Sequence, residues 1–178
     1  MTAKRIEAVL RPASVAVVGA SDTPGSIGEV LCRNLREGGF RGPVFYVNPR
    51  HATIRDRPSY PDVRSLPQPV DVAIVATPPP TLPMVLEHCG ERGVRGAIIV
   101  SAGFREGGEA GAAWERSMLQ VARRYGLRLL GPNSFGVIRT DNGFNASCGA
   151  ALPKPGRLAL VSQSSALCAA TLDWARSR

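Results

Sequence analysis

Metal-ligand spacing is missing from this chain. Its four cysteines, Cys32, Cys89, Cys148 and Cys168, are scattered with no Cys-x-x-Cys pair, and only two histidines, His51 and His88, are present. Neither a metal centre nor a disulfide framework is expected, and a reduced cytoplasm is the expected location. No apolar run approaches the roughly 20 residues needed to span a bilayer. The start, Met1-Thr-Ala-Lys-Arg-Ile-Glu7, lacks a signal-peptide core, so no membrane partner is expected. Acidic residues are outnumbered, 14 against 22 basic, which gives a net charge of +8 and invites a nucleic-acid reading. Yet the cations, nearly all Arg, form no block and have little aromatic interleaving. An anionic small ligand is the better expectation, with no nucleic acid.

What remains is a composition of 44% hydrophobic and 20% charged residues over 178 positions. It suits a soluble globular chain of one generous domain, or one domain plus part of another. Short apolar runs, predicted as strands, lie at Ser14–Gly19, Val44–Val47, Val70–Ala76, Ala97–Ser101 and Arg128–Leu130. Helical patterns lie between them at Ile27–Glu37, Leu82–Arg92 and Glu109–Tyr125. The Val and Ile runs do not alternate with polar residues, as befits a parallel sheet covered on both faces. The βαβ repetition predicts a doubly wound, Rossmann-like α/β domain with its ligand at the carboxyl ends of the strands. The Pro- and Arg-rich stretch from Ile54 to Pro69 reads as a long connection in place of a helix.

Beyond Leu130 the pattern changes to loops at Gly131–Gly136 and Asn142–Pro155 with short strand candidates between turns. Arg157–Val161 then reads as a new strand, and Ser162-Gln-Ser-Ser165 leads into a final helix. One strand and one helix cannot bury a core alone. They either complete the first sheet or, the favoured expectation, begin a second domain that is truncated here. The expected division is a ligand-binding domain over 1–128 and a linker with the first strand and helix of another over 129–178.

Four loops carry the chemistry. In Ser14-Val-Ala-Val-Val-Gly-Ala-Ser-Asp-Thr-Pro-Gly-Ser-Ile-Gly28 an apolar strand runs through a glycine-punctuated loop into a helix. That order presents free N–H groups and a positive helix end to a phosphate. Gly19, Gly25 and Gly28 permit close approach, Ser21 and Ser26 offer hydroxyls, and Ile27 opens the helix. The spacing is neither Gly-x-Gly-x-x-Gly nor a P-loop. The second strand ends Asn48-Pro49-Arg50, where an ordinary NAD site places an acid for the ribose hydroxyls. Arg50 suits instead a phosphorylated ribose, as in NADP or the 3′-phosphate of coenzyme A. Thr77-Pro78-Pro79 ends the third strand as a stiff wall suited to a flat base. Ser101-Ala102-Gly103 ends the fourth with residues small enough for backbone approach. Their convergence at one sheet edge is the strongest signal. His88 falls among apolar residues, and neither His51 nor the nearby Asp22 and Glu106 forms an acid–base pair, so no catalytic residue is expected.

Seven motifs in order carry a resemblance: Gly19-Ala-Ser-x-x-Pro-Gly-Ser-Ile-Gly28, Val47-Asn-Pro49, Ala76-Thr-Pro-Pro79, Ser101-Ala-Gly-Phe104, Gly131-Pro-Asn133, Asn145-Ala-Ser147 and Val161-Ser-Gln-Ser164. Together they resemble the N-terminal part of NDP-forming acyl-CoA synthetases, relatives of the succinyl-CoA synthetase alpha subunit. The nearest likeness is to versions fused to a protein lysine acetyltransferase. The resemblance implies a CoA-binding Rossmann-like domain followed by the start of a flavodoxin-like ligase domain. It assigns CoA phosphates to Ser21–Ile27, the nucleotide to Asn48–Arg50, Thr77–Pro79 and Ser101–Gly103, and the thiol end to the turn bearing Asn133. Ser162, Gln163, Ser164 and Ser165 are implied to receive the phosphate of a phosphohistidine.

Two departures stand out. Ser134 replaces the family's usual Cys after Gly-Pro-Asn, and Ser165 replaces a Gly where the phosphate should approach. The phosphorylated histidine and the ATP-grasp domain, with its ATP, ADP and Mg, lie C-terminal to anything present. The implied ligand is therefore coenzyme A or an acyl-CoA, bound without catalysis, with an ATP-grasp domain or subunit as partner and a homo-oligomer as an open state. The rival readings are a stand-alone regulatory CoA-binding protein and an NAD(P)-binding redox protein.

Overall fold

Strands buried on both faces need a neighbour on each edge and a helix over each side, and the chain provides both. The computed structural model describes residues 3–150 and 152–176. Helix α1 (Ala3–Leu10) precedes β1 (Val15–Val18), α2 (Ile27–Glu37) and β2 (Val44–Val47). A hairpin of β3 (Thr53–Ile54) and β4 (Arg57–Tyr60) follows, then β5 (Val72–Val75), α3 (Leu82–Glu91), β6 (Gly96–Ile99), α4 (Glu109–Tyr125) and β7 (Arg128–Leu130). These seven strands form one sheet in the order β3-β4-β2-β1-β5-β6-β7, parallel except for the β3–β4 pair. Strand β1 lies between β2 and β5, with Val18 beside both Val47 and Val75. The chain winds outward from β1 in both directions, so a cleft opens at the carboxyl ends of β1 and β5.

Alternate side chains divide the core. Ala16, Val18, Ala73, Val75, Ala97 and Ile99 pack with Leu82 and Leu86 of α3 and Met118 and Ala122 of α4. Val15, Val17, Val72, Ile74 and Ile98 pack with Val9 of α1 and Leu31 and Leu35 of α2. Each buried Val, Leu, Ile or Met among these contributes about 1.5–3 kcal/mol by leaving water. A second hairpin, β8 (Gly136–Arg139) with β9 (Phe144–Ser147), lays Val137, Phe144 and Ala146 on that same α2 side. Buried Asn34 of α2 pins it there, its amide donating to the Ser147 carbonyl at 2.9 Å and the Gly149 carbonyl at 2.7 Å. Arg11 and Arg139 both pair with Asp141 at its turn, at 2.8 and 2.6 Å. The Asn145-Ala-Ser147 motif is thus a docking element, with the Ser147 hydroxyl bonding the Asn145 side chain at 2.6 Å.

Two expectations are revised. The stretch from Ile54 to Pro69 holds no helix, in line with a long connection, but its start also adds β3 and β4 to the sheet. Its turn, Arg55-Asp56, holds both residues at positive φ, 51° and 57°, without the glycine that ordinarily marks such a turn. Pro58 within β4 hides the strand further. Arg157–Val161 forms no strand: it is exposed, with no ladder partner among the described residues. An apolar run becomes a strand only beside an open edge. Helix α5 (Ser165–Arg176) follows as expected, Ser164 capping it by accepting the Leu167 N–H at 3.2 Å. No helix among the described residues is long and apolar enough to cross a membrane.

Candidate functional site

The β1–α2 loop is shaped by two glycines whose side-chain space is filled by backbone. A Cβ on Gly28 would sit 2.0 Å from the Gly19 carbonyl oxygen. Gly19, at φ +88°, has the Ala76 carbonyl oxygen 2.8 Å from the same position. The first turn of α2 is thereby seated directly on the end of β1. Within the loop the Ser21 hydroxyl accepts from the Thr23 N–H at 3.0 Å, and the Ser26 N–H donates to the Thr23 carbonyl at 3.1 Å. Ser26 caps α2 by accepting the Glu29 N–H at 3.2 Å. The next two amides, Ile27 and Gly28, have no acceptor within the helix and none elsewhere among the described residues. Gly25, at φ +76°, has open space around it. Two unpaired donors at the positive end of a helix dipole form an anion seat.

The other strand ends close around this seat. Asn48 crosses from β2 and donates from Nδ2 to the Ala20 carbonyl at 2.8 Å, while its Oδ1 accepts the Arg50 N–H at 2.9 Å. Pro49 and Arg50 are exposed beside it. At the end of β5, Thr81 donates to the Thr77 hydroxyl at 2.9 Å and closes the turn holding Pro78 and Pro79. A Cβ on Gly103 would lie 3.3 Å from the Pro79 ring, so the β5 and β6 ends meet. Ser101 is buried, with Ala102 and Gly103 exposed above it, and the Asn133 N–H donates to the Ser101 carbonyl at 2.9 Å. The Gly103 N–H is already committed to Glu106 at 2.7 Å. That bond holds the Glu106 carboxyl below the ordinary carboxylate range.

The structure therefore brings together the predicted residues from Gly19 to Asn133 at one sheet edge. It does not join Ser162, Gln163, Ser164 and Ser165 to them: the hydrogen bonds of that segment are local, such as the Ser164 N–H to the Ser162 hydroxyl at 3.0 Å. Sequence reading missed the underside of the loop. There Asp22 accepts the Arg55 N–H at 3.0 and 3.1 Å, and the Arg55 guanidinium pairs with buried Glu29, which also binds Arg33 at 3.2 Å. Nothing in a hairpin 26 residues away signals this contact. Cys32, under the loop, is pushed up to about 11 by burial despite the nearby Ser21 N–H, so it remains a thiol at neutral pH. His88 is buried in α3 and His51 is exposed. Among the described residues no three His, Cys, Asp or Glu side chains are grouped to hold a metal. The arrangement can bind an anion and a flat ring; it presents no nucleophile–base pair.

Comparison with known proteins agrees with that chemistry. Residues 13–140 match the CoA binding domain family. The acetate–CoA ligase [ADP-forming] I of Archaeoglobus fulgidus is 42% identical over 171 residues, covering 96% of this chain and 25% of that protein. The alpha subunit of the Pyrococcus furiosus acetate–CoA ligase [ADP-forming] I is 43% identical over 173 residues, 95% of this chain and 37% of the subunit. Among solved structures, the dinucleotide forming acetyl-coenzyme A synthetase 1 of Candidatus Korarchaeum cryptofilum, in complex with phosphate and ADP, superposes with a TM-score of 0.89. Its identity is 36%, covering 95% of this chain and 36% of that one. The chain thus spans between a quarter and two fifths of the length of these relatives.

Proposed function

This chain belongs to the CoA-binding domain family, and from that premise we propose that its Gly19–Gly28 loop seats the phosphates of coenzyme A or an acyl-CoA. The observation that carries the reading is the pair of unpaired Ile27 and Gly28 amides, held by two backbone-packed glycines, beside Asn48-Pro49-Arg50. The residues fit such a ligand. The loop presents donors to a diphosphate, Arg50 stands where a ribose phosphate needs a cation, and Thr77–Pro79 with Ser101–Gly103 forms a flat wall for the base. Asn133, fixed to Ser101, marks the side toward the thiol. The absence of an acid at the end of β2 speaks against NAD as the ligand; NADP, whose ribose phosphate Arg50 would equally suit, is the rival that titration must separate.

In the larger protein we infer a ligase of the ADP-forming type, in which this module presents the CoA thiol. A histidine outside this chain, phosphorylated by ATP with release of ADP, would pass its phosphoryl group to the carboxylate of the acid. The thiol, losing its proton, would then attack the acyl phosphate, forming the thioester and releasing phosphate. The Ser162–Ser165 helix start is assigned to receive that phosphohistidine, and an ATP-grasp domain or subunit to supply it, in the cytoplasm. If a lysine acetyltransferase domain is attached, the module would serve as its CoA sensor. A domain boundary belongs to the same proposal, placed beyond the β8–β9 hairpin rather than near residue 128, because β7 pairs in the sheet to Leu130 and Val137, Phe144 and Ala146 pack in its core.

Thermal unfolding with and without ligand tests the binding reading. Coenzyme A at 100 times its Kd should stabilise the chain by about 2.7 kcal/mol, with NADPH giving little or no shift. No shift with millimolar coenzyme A, or a larger one with NADPH, would overturn it.

A further inference from the structure

Among the strained and charged features of the chain, one lies against the binding loop without belonging to it. Arg55 and Asp56 form a two-residue turn with both φ positive, a conformation that disfavours any side chain. What holds Arg55 there is visible. Its N–H is gripped by both oxygens of Asp22 in the ligand loop, and its guanidinium reaches Glu29 in the first turn of α2. The Arg55 side chain is 18% exposed and that of Glu29 is 10% exposed, so this pair is shielded from solvent screening. The position is unfavourable for the proposed ligand if left uncompensated. Asp22 and Glu29 place two negative charges at the same helix end that must attract phosphates, and Glu29 also competes for the positive dipole.

We propose that Arg55 is a positioning residue of the CoA site: its N–H on Asp22 and its guanidinium on Glu29 pin the Gly19–Gly28 loop to the β3–β4 hairpin, and its charge, together with that of Arg33, offsets Glu29 beside the phosphates. The ligand half of this inference rests on the proposed seating of coenzyme A in that loop, whereas the pinning half concerns the free protein. Both halves act through the loop, since no contact between Arg55 and the ligand is invoked.

Arg55→Gly separates this role from turn formation, because glycine adopts positive φ without strain and keeps the N–H bond to Asp22, so only the guanidinium contact with Glu29 is removed. Hydrogen exchange on the ligand-free chain should show the amides of 21–28 exchanging about tenfold faster in Arg55→Gly, with α3 and α4 unchanged. Calorimetric titration should show coenzyme A bound about tenfold more weakly. The double variant Arg55→Gly with Glu29→Gln should recover binding to within about threefold of wild type, because the opposing charge is gone, yet keep the fast loop exchange. Unchanged loop exchange and unchanged affinity in Arg55→Gly would overturn the proposal, as would a double variant that binds no better than the single one. If the wild-type chain itself gives no signal with coenzyme A, the binding reading falls, and the exchange comparison alone decides whether Arg55 holds the loop.

Discussion

Two loops of this chain use the same local chemistry and end up in different physical situations. Ser26 caps α2 by accepting the Glu29 N–H at 3.2 Å, and Ser164 caps α5 by accepting the Leu167 N–H at 3.2 Å. Each caps a helix that comes after a loop with a further serine hydroxyl bonded to a loop amide. The first loop is fixed from outside itself: by Ala76 packed on Gly19, by Asn48 bonded to Ala20, and by Arg55 on Asp22 and Glu29. The second comes after an exposed segment in which Leu158 and Val161 are 95% and 98% accessible, and its bonds stay within five residues. Capping makes a helix start; tertiary contacts make a preorganised seat. A seat held in place binds without the ordering cost that a loose loop incurs.

The sharpest way to break this contrast is to fill the space that seats α2. Gly28→Ala puts a methyl 2.0 Å from a carbonyl oxygen that has no room to retreat. It should lower stability by about 3 kcal/mol in urea denaturation. Gly156→Ala, in the open segment before α5, has nothing within 4 Å of the added methyl and should change stability by less than about 0.5 kcal/mol. Equal losses at both sites would erase the distinction.

A smaller effect should fall on binding alone. Ser26→Asp keeps a good cap while adding charge where phosphates are expected, so the affinity for coenzyme A should drop at least about tenfold with an unchanged unfolding midpoint. Ser162→Asp should leave that affinity as it is, because the hydrogen bonds of the second loop stay within its own segment. Identical CoA isotherms for Ser26→Asp and wild type would remove the first loop from the site.

The smallest effect concerns pH. The Gly103 N–H lowers the pKa of Glu106 in the folded chain relative to the unfolded one, so the bond contributes stability that is complete above the ordinary carboxylate range. It is lost as pH falls through the lowered folded value. The Gly103 amide resonance should move in that acid window and stay still in Glu106→Gln. The Ser164 amide, bonded to a hydroxyl, should not titrate. A Gly103 shift that persists in Glu106→Gln would assign the titration to another group.

Much of the molecule is legible in the sequence, for reasons that can be named. The Val and Ile runs at β1, β5 and β6 are buried on both faces, and that burial is what an unbroken apolar run encodes. Gly19 and Gly28 are readable because backbone packing tolerates no other residue there. Arg55 is not, since its role depends on a left-handed turn without glycine and on a side chain crossing to another element. Arg157–Val161 has the pattern of a strand, but pattern cannot report whether an edge is available. Asn145–Ser147 is visible as a motif, while its docking on Asn34 appears only once α2 and β9 are side by side.

The function proposed for this chain turns on coenzyme A sitting on the β1–α2 loop. The decisive experiment is a titration of the isotopically labelled chain with coenzyme A, followed residue by residue through its backbone amide resonances. Saturable shifts are expected at Ser21, Gly25, Ile27, Gly28 and Arg50, with Ser162, Gln163, Ser164 and Ser165 unmoved. Shifts that leave Ile27 and Gly28 untouched, or that fail to saturate at millimolar coenzyme A, would contradict that placement.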